Sequence, residues 1–421
     1  MSEQSRRVRR RRVFHIPGFD PIHPRRYREL YRTEGAMQAE ISGYQLVVKA
    51  TPAADTFSWT VDAHIDQHDI STRINVLVWS DIVRGGMAQT IPATYLQLLR
   101  TAWLYLRTGT LRRLMRMRKG PVIAALYPVG MLLSQLVIAV IMGAIIGATA
   151  RDGMLWAIGQ SANSVPAAVG GVAVLLKYML WLVVVVVVLR WFKARDNKLF
   201  AYYLMHDYAF SADQCGANPP ILEVRLQQFT DQIAAAFNDE VDEVLVVGHS
   251  SGAHLAISVL ADLIRSGRVP AVGPRLALLT LGQVVPMVSF LPKAGRLRGD
   301  LAFLATQDAL TWVDVSAPGD GCCFALCDPV AVTGVTPPGK RWPLVMSASF
   351  TQSLSPARWR QLRWRFFRLH FQYLCAFDRP KDYDYFQITA GPVLLADRYR
   401  DRAASRSRID VPVSRYTAFD A

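Results

Sequence analysis

Two hydrophobic patterns alternate along the chain, and a third interrupts them. Residues 24–41 (PRRYRELYRTEGAMQAEI) and 221–238 (ILEVRLQQFTDQIAAAFN) repeat apolar positions at helical spacing. Around them lie short runs rich in β-branched and aromatic residues. These are RRVFHIPGF at 11–19, YQLVVKAT at 44–51, TRINVLVWSDIV at 72–83, EVLVV at 243–247, RLALLTLG at 275–282 and TWVDVSA at 311–317. Further helical stretches are expected at 253–267, 297–307 and 355–374. The last opens with Ser355 as N-cap and Pro356 at the first helical position. Strand and helix in alternation predict an α/β fold with a mostly parallel sheet and helices on both faces.

The third pattern is unbroken hydrophobicity. Residues 121–150 carry no charge, well beyond the roughly 20 residues that cross a bilayer. Residues 165–192 are nearly as apolar and contain only Lys177 before Arg190, a position from which a long side chain reaches one interface or faces the neighbouring helix. Two transmembrane helices are therefore expected inside the α/β pattern. Basic residues gather outside them, at Arg112, Arg113, Arg116, Arg118 and Lys119 before and Arg190, Lys193, Arg195 and Lys198 after, while the connection holds Arg151 and Asp152. Positive flanks at both outer ends place the soluble parts and both termini in the cytoplasm and the connection outside, as in a bacterial inner membrane. Residues 94–119 mix Leu, Trp, Tyr and Arg at helical spacing and read either as an interfacial helix or as an ordinary surface helix. The organisation expected is a basic tail over 1–12, a first part of the α/β domain over 13–108, a membrane insert over 109–198 and a second part of the domain over 199–421.

Composition sharpens this. The 421 residues carry a formal charge of +15 yet are 51% hydrophobic, a pairing that favours a membrane protein with cationic flanks over a nucleic-acid binder. The arginines of the tail suit anionic lipid headgroups. Five cysteines, three of them clustered in GCCFALC, make a poor disulfide framework, and no second Cys or His pair at zinc spacing lies nearby, so neither a disulfide nor a metal is expected.

The candidate chemistry sits at Gly248-His249-Ser250-Ser251-Gly252, a G-x-S-x-G sequence between an apolar strand and a helix. That context gives the motif meaning: the serine stands on a sharp strand-to-helix turn, and its neighbours must be small for strand and helix to approach. Ser250 is then the nucleophile, and the Ser251 N–H can donate to an oxyanion. A plain βα turn is the alternative.

On these residues the chain resembles the α/β-hydrolase superfamily, in particular its lipase- and esterase-like members, over residues 10–90 and 205–400. The resemblance implies a triad in the order serine, acid, histidine. Two histidines follow Ser250: His254, one turn into the next helix, and His370, whose H-x-x-Y context looks like the family's histidine loop. His370 is thus the implied base, and His249 a spacer. The acid is expected at Asp320, after the strand-ending SAPG, with Asp314 and Asp328 as alternatives. A second oxyanion donor is implied at Phe19, beside Gly18; the family often has His-Gly where this chain has Pro17-Gly18, and His15 is expected to be structural. The implied reaction is two-step acyl transfer from a small or lipid-borne ester, needing no cofactor. An acyltransferase or thioesterase would use the same triad, and an inactive membrane scaffold would use the fold alone. Trp359, Trp364 and Phe366 lie among Arg358, Arg360, Arg363, Arg365 and Arg368, so that segment meets either the headgroup zone or the core through its aromatic stripe. Nothing in the sequence sets an oligomeric state.

Overall fold

The computed structural model describes residues 7–50, 57–87, 90–160 and 167–419. The first six residues of the basic tail and the connection over 161–166 lie outside them. The chain divides into two compact units. One joins Met1–Gly86, Leu104–Ile123 and Phe210–Ala421; the other joins Met87–Trp103 and Ala124–Ala209.

The first unit is built on eight strands: β1 (Arg10–Ile16), β2 (Gln45–Ala50), β3 (Ser58–Ile65), β4 (His68–Val76), β5 (Glu243–His249), β6 (Arg275–Leu281), β7 (Leu310–Ser316) and β8 (Leu344–Ser347). They form one sheet in the order β2-β3-β4-β1-β5-β6-β7-β8. The hairpin pairs β2–β3 and β3–β4 are antiparallel, and the run from β4 through β1 to β8 is parallel. Strand β5 is buried at all seven positions, which explains why its sequence runs apolar without alternation. Leu245, Val247, Leu279 and Val313 share a core cluster with Tyr27, Tyr31, Tyr385 and Phe386. After β1 the chain builds towards β2, and after β5 it builds towards β8, so the C-terminal ends of β1 and β5 form the point where the winding reverses. In open α/β sheets ligands bind in the crevice at such a point.

The basic segment over 1–12 enters the sheet instead of ending before it. Arg11 is buried, meets Glu243 on β5 at 2.6 Å, and donates to the carbonyls of Gly391 and Val393 at 2.7 and 2.8 Å. A guanidinium that satisfies a buried carboxylate and two carbonyls ties both ends of the chain to the central strands.

The stretch over 104–123 also differs from a membrane insert starting at residue 109. It belongs to the sheet unit: Tyr105 donates to the Met287 carbonyl at 3.0 Å, Thr110 to Phe290 at 3.2 Å and Arg118 to Ala325 at 2.9 Å. Upstream, the helix Ile91–Arg107 leaves Leu96, Leu99, Trp103 and Leu106 exposed at i, i+3 and i+4 intervals. It stops at Gly109, whose φ of 67° breaks the long helix expected over 94–119.

In the other unit two helices, Lys119–Gly159 and Ala167–Ala194, are long and apolar enough to cross a membrane. The first runs on through the neighbouring ion pair of Arg151 and Asp152, which the sequence had suggested was a connection. At 1.5 Å per residue it is roughly 60 Å long, about twice a hydrocarbon core. The helices meet through Gly143 and Gly147. A Cβ on Gly143 would stand 2.9 Å from the Trp181 carbonyl, and one on Gly147 2.6 Å from that of Lys177. Two glycines four residues apart let the two backbones touch. The stem of Lys177 lies on Gly147, with Cγ 3.4 Å from that Cβ position.

Candidate active site

Ser250 stands at the end of β5 with φ 56°. A serine held in the left-handed region stores strain, and such outliers persist where the surroundings over-determine them. Three glycines do so here. A Cβ on Gly252 would fall 2.1 Å from the Ile16 carbonyl oxygen, and one on Gly248 2.8 Å from Ala253 Cα. Both are contacts that only glycine allows, and together they clamp the helix Gly252–Arg265 against β1 and β5. A Cβ on Gly18 would lie 3.0 Å from Ser250 Cβ and 3.5 Å from its Oγ. The Pro17-Gly18-Phe19 loop therefore passes directly over the serine. It is pinned by Trp79, which donates to the Pro17 carbonyl at 2.9 Å, and by the Phe19 ring packed on Trp79 and Phe210. Ser250 N–H donates to the Leu281 carbonyl at 2.9 Å, so the serine sits beside Gly282 at the end of β6.

His370 and Asp320 meet at the same end of the sheet. His370 Nδ1 is 2.7 Å from Asp320 Oδ2, and both residues are buried. The His370 ring lies against Gly282: a Cβ there would be 3.1 Å from Cε1, the carbon between the two ring nitrogens. No hydrogen bond joins Ser250 to His370 among the described residues. Asp320 also accepts from the Cys322 N–H at 2.8 Å and the Tyr373 hydroxyl at 3.1 Å, and Tyr373 in turn accepts from the Ala317 N–H at 2.9 Å. Burial alone would raise the Asp320 carboxyl. The charge and hydrogen bond of His370, the Cys322 N–H and the Cys323 thiol outweigh it and hold the carboxyl below its ordinary value.

The other aspartates are engaged elsewhere. Asp314 points from β7 to the Thr280 hydroxyl at 2.6 Å, and burial, opposed by that bond and aided by Asp328, pushes it up to about 7. Asp328 caps the short helix Pro329–Thr333 through the Val330 and Ala331 N–H groups and pairs with Lys340. Of the three carboxylates weighed from the sequence, Asp320 is the one brought to His370.

The remaining histidines separate by contact. His254 is buried in its helix, and burial lowers it to about 4. His15 packs on Tyr27 at 4.9 Å, and burial and then Arg26 lower it to about 3. His249 has more to do than a spacer. Its Nε2 donates to the His370 carbonyl at 3.0 Å, and its ring packs at a tilt against His370 and Phe371, with centroids 4.8 and 5.1 Å away. Burial, with His370 beside it, drives its pKa well down, so it is neutral. The residue before Ser250 thus anchors the backbone of His370, 121 residues away. No pattern in the sequence could have shown that contact. Tyr373 was visible as the last position of H-x-x-Y, though its bond to Asp320 was not.

Asp320, Cys322 and His370 offer three ligand-type atoms within 4.8 Å of one another. The 2.7 Å Nδ1–Oδ2 distance is that of a shared proton and is shorter than two ligands on one ion with bonds near ~2.0 Å would keep. Burial, and then Asp320, push the Cys322 thiol well up. The donor set suits proton handling better than an ion.

No family model, curated protein or solved structure matches the chain. Any functional reading therefore rests on geometry.

Proposed function

We propose that this chain is a membrane-anchored serine hydrolase of the α/β-hydrolase type, cleaving a carboxylic ester. The observation that carries the reading is the strained Ser250 beneath Gly18, at the sheet end where His370 and Asp320 are paired. Because Nδ1 of His370 is held by Asp320, Nε2 is the atom left to take the Ser250 proton. Ser250 Oγ attacks the ester carbonyl, and the N–H groups of Ser251 and Phe19 stabilise the oxyanion. The protonated His370 gives its proton to the departing alcohol, leaving an acyl-enzyme. Water, deprotonated by the same nitrogen, then releases the acid and regenerates Ser250. No cofactor takes part, and no nucleic-acid partner is invoked.

The two apolar helices cross the membrane, with their basic flanks and the sheet unit in the cytoplasm. An ester carried by a lipid is the substrate class that such an anchor favours. Turnover of p-nitrophenyl esters by the full chain in nanodiscs tests the reading. A burst of nitrophenolate followed by slower release is expected, lost in Ser250→Ala and His370→Ala. Equal rates in these variants and the parent would overturn it.

A further inference from the structure

We infer that the turn carrying Trp364 is a docking tip for an anionic phospholipid surface, adjoining the loop that holds Asp320. The single helix expected over 355–374 is broken into Pro356–Leu362, Phe366–His370 and the 3-10 turn Phe371–Leu374. The break divides the aromatic residues. Leu362 and Tyr373 enter the core, Trp359 packs against it, and Trp364 is left 72% exposed. Arg360, Arg363, Arg365 and Arg368 are exposed around it, and Arg363 lies over the Trp364 ring at 5.5 Å. None of these four arginines is in an ion pair among the described residues, and no Asp or Glu occurs between Asp328 and Asp378.

The segment exposes an apolar indole to water, with Arg363 over its ring and three further unpaired arginines within four residues of it. It suits the headgroup zone, where the indole finds an apolar body with a polar edge and each cation meets a phosphate. The same chain carries two helices of membrane length, which makes a lipid surface the expected occupant. An acidic protein would satisfy the charge but gives no reason for the bare indole; a single-stranded nucleic acid would satisfy both by stacking, and the two helices of membrane length favour the bilayer over it.

The tip is joined to the site by two rings. Trp359 packs on Gly319, where a Cβ would lie 2.6 Å from Cη2, and Phe366 packs on Gly321 at 3.3 Å from Cδ1. These glycines flank Asp320, and His370 ends the helix that Phe366 begins. Docking at Trp364 therefore bears on the acid–base pair from both sides; this consequence for catalysis rests on the hydrolase reading, whereas the docking itself does not.

The test uses the full chain in nanodiscs of phosphatidylcholine with and without phosphatidylglycerol. p-Benzoylphenylalanine is placed at position 364 or, as a control, at position 272, which is 90% exposed at the opposite end of the parallel strands. Photolysis should attach phospholipid at 364 at least several-fold more than at 272, and more so with the anionic lipid. Equal yields at the two positions, or capture of protein or nucleic acid in place of lipid, would overturn the inference. In parallel, Trp364→Ser should lower turnover of a long-chain ester several-fold more than that of a short water-soluble ester. Lipid capture without any Ser250-dependent ester turnover would keep the docking tip and reject the hydrolase.

Discussion

The interior of β7 and the turn just beyond its end treat the same side chain in opposite ways. Asp314 and Asp320 are both buried. Asp314 has one neutral hydroxyl as partner and a carboxyl lifted to about 7. Asp320 has an imidazole, a backbone N–H and a phenol, and its carboxyl is held below 3.8. Burial is common to both, so it cannot be what sets the two carboxyls apart. The partner set decides, and it exists only where the strand has ended and backbone N–H groups and the His370 segment become available.

The largest effect should come from breaking the second environment. Asp320→Asn is expected to lower kcat by about 10⁴, the loss typical when the orienting carboxylate of a triad becomes an amide. Asp314→Asn, nearly isosteric, should leave kcat within about twofold; equal losses in both variants, measured as steady-state ester turnover, would break the comparison. His249→Phe keeps the packed ring and removes the donor to the His370 carbonyl. It should cost on the order of tenfold in kcat, about one hydrogen bond's worth, and displace the acidic limb of the kcat/KM pH profile, where protonation of the base is read, with His249→Gln restoring part of the loss. A merely structural role would leave that limb in place. Tyr373→Phe removes one of three donors to Asp320 and should cost less still, about threefold.

The pair should also part company in stability against pH. Asp314 binds its proton more tightly folded than unfolded, so its contribution is present below about 4 and is lost as pH rises to about 7. Asp320, with its carboxyl depressed, contributes above 3.8 and loses that contribution as pH falls through its lower folded value. Denaturant midpoints of Asp314→Asn taken from pH 4 to 7 should lack the decline with rising pH that Asp314 imposes on the parent. An unchanged slope would show that Asp314 is ionised throughout.

How much of this could be read beforehand follows the range of each interaction. The turn at Ser250 is local: a strand, two glycines and a helix within a few residues, with a pattern that physics restricts. The membrane-length helices are local in the same sense. His370 and Asp320 lie 50 residues apart, and the sequence could order three aspartates but not see Thr280 and Lys340 engage two of them. The His249 contact was invisible for the same reason. Breaks inside helical patterns were missed where periodicity continues through them, at Gly109 and again after Leu362. The insert was drawn from hydropathy alone, which cannot register that Tyr105, Thr110 and Arg118 find partners in the sheet unit. Strand β3, a half-polar hairpin partner, was overlooked because SWTVDAHI alternates weakly.

The most direct measurement is covalent. The full chain in nanodiscs should be treated with a fluorophosphonate and the adduct located by mass spectrometry. The adduct should form on Ser250, with labelling absent in Ser250→Ala and slowed at least a hundredfold in His370→Ala. Labelling that persists in Ser250→Ala, or no labelling of the folded chain in any lipid, would contradict a nucleophile at the end of β5.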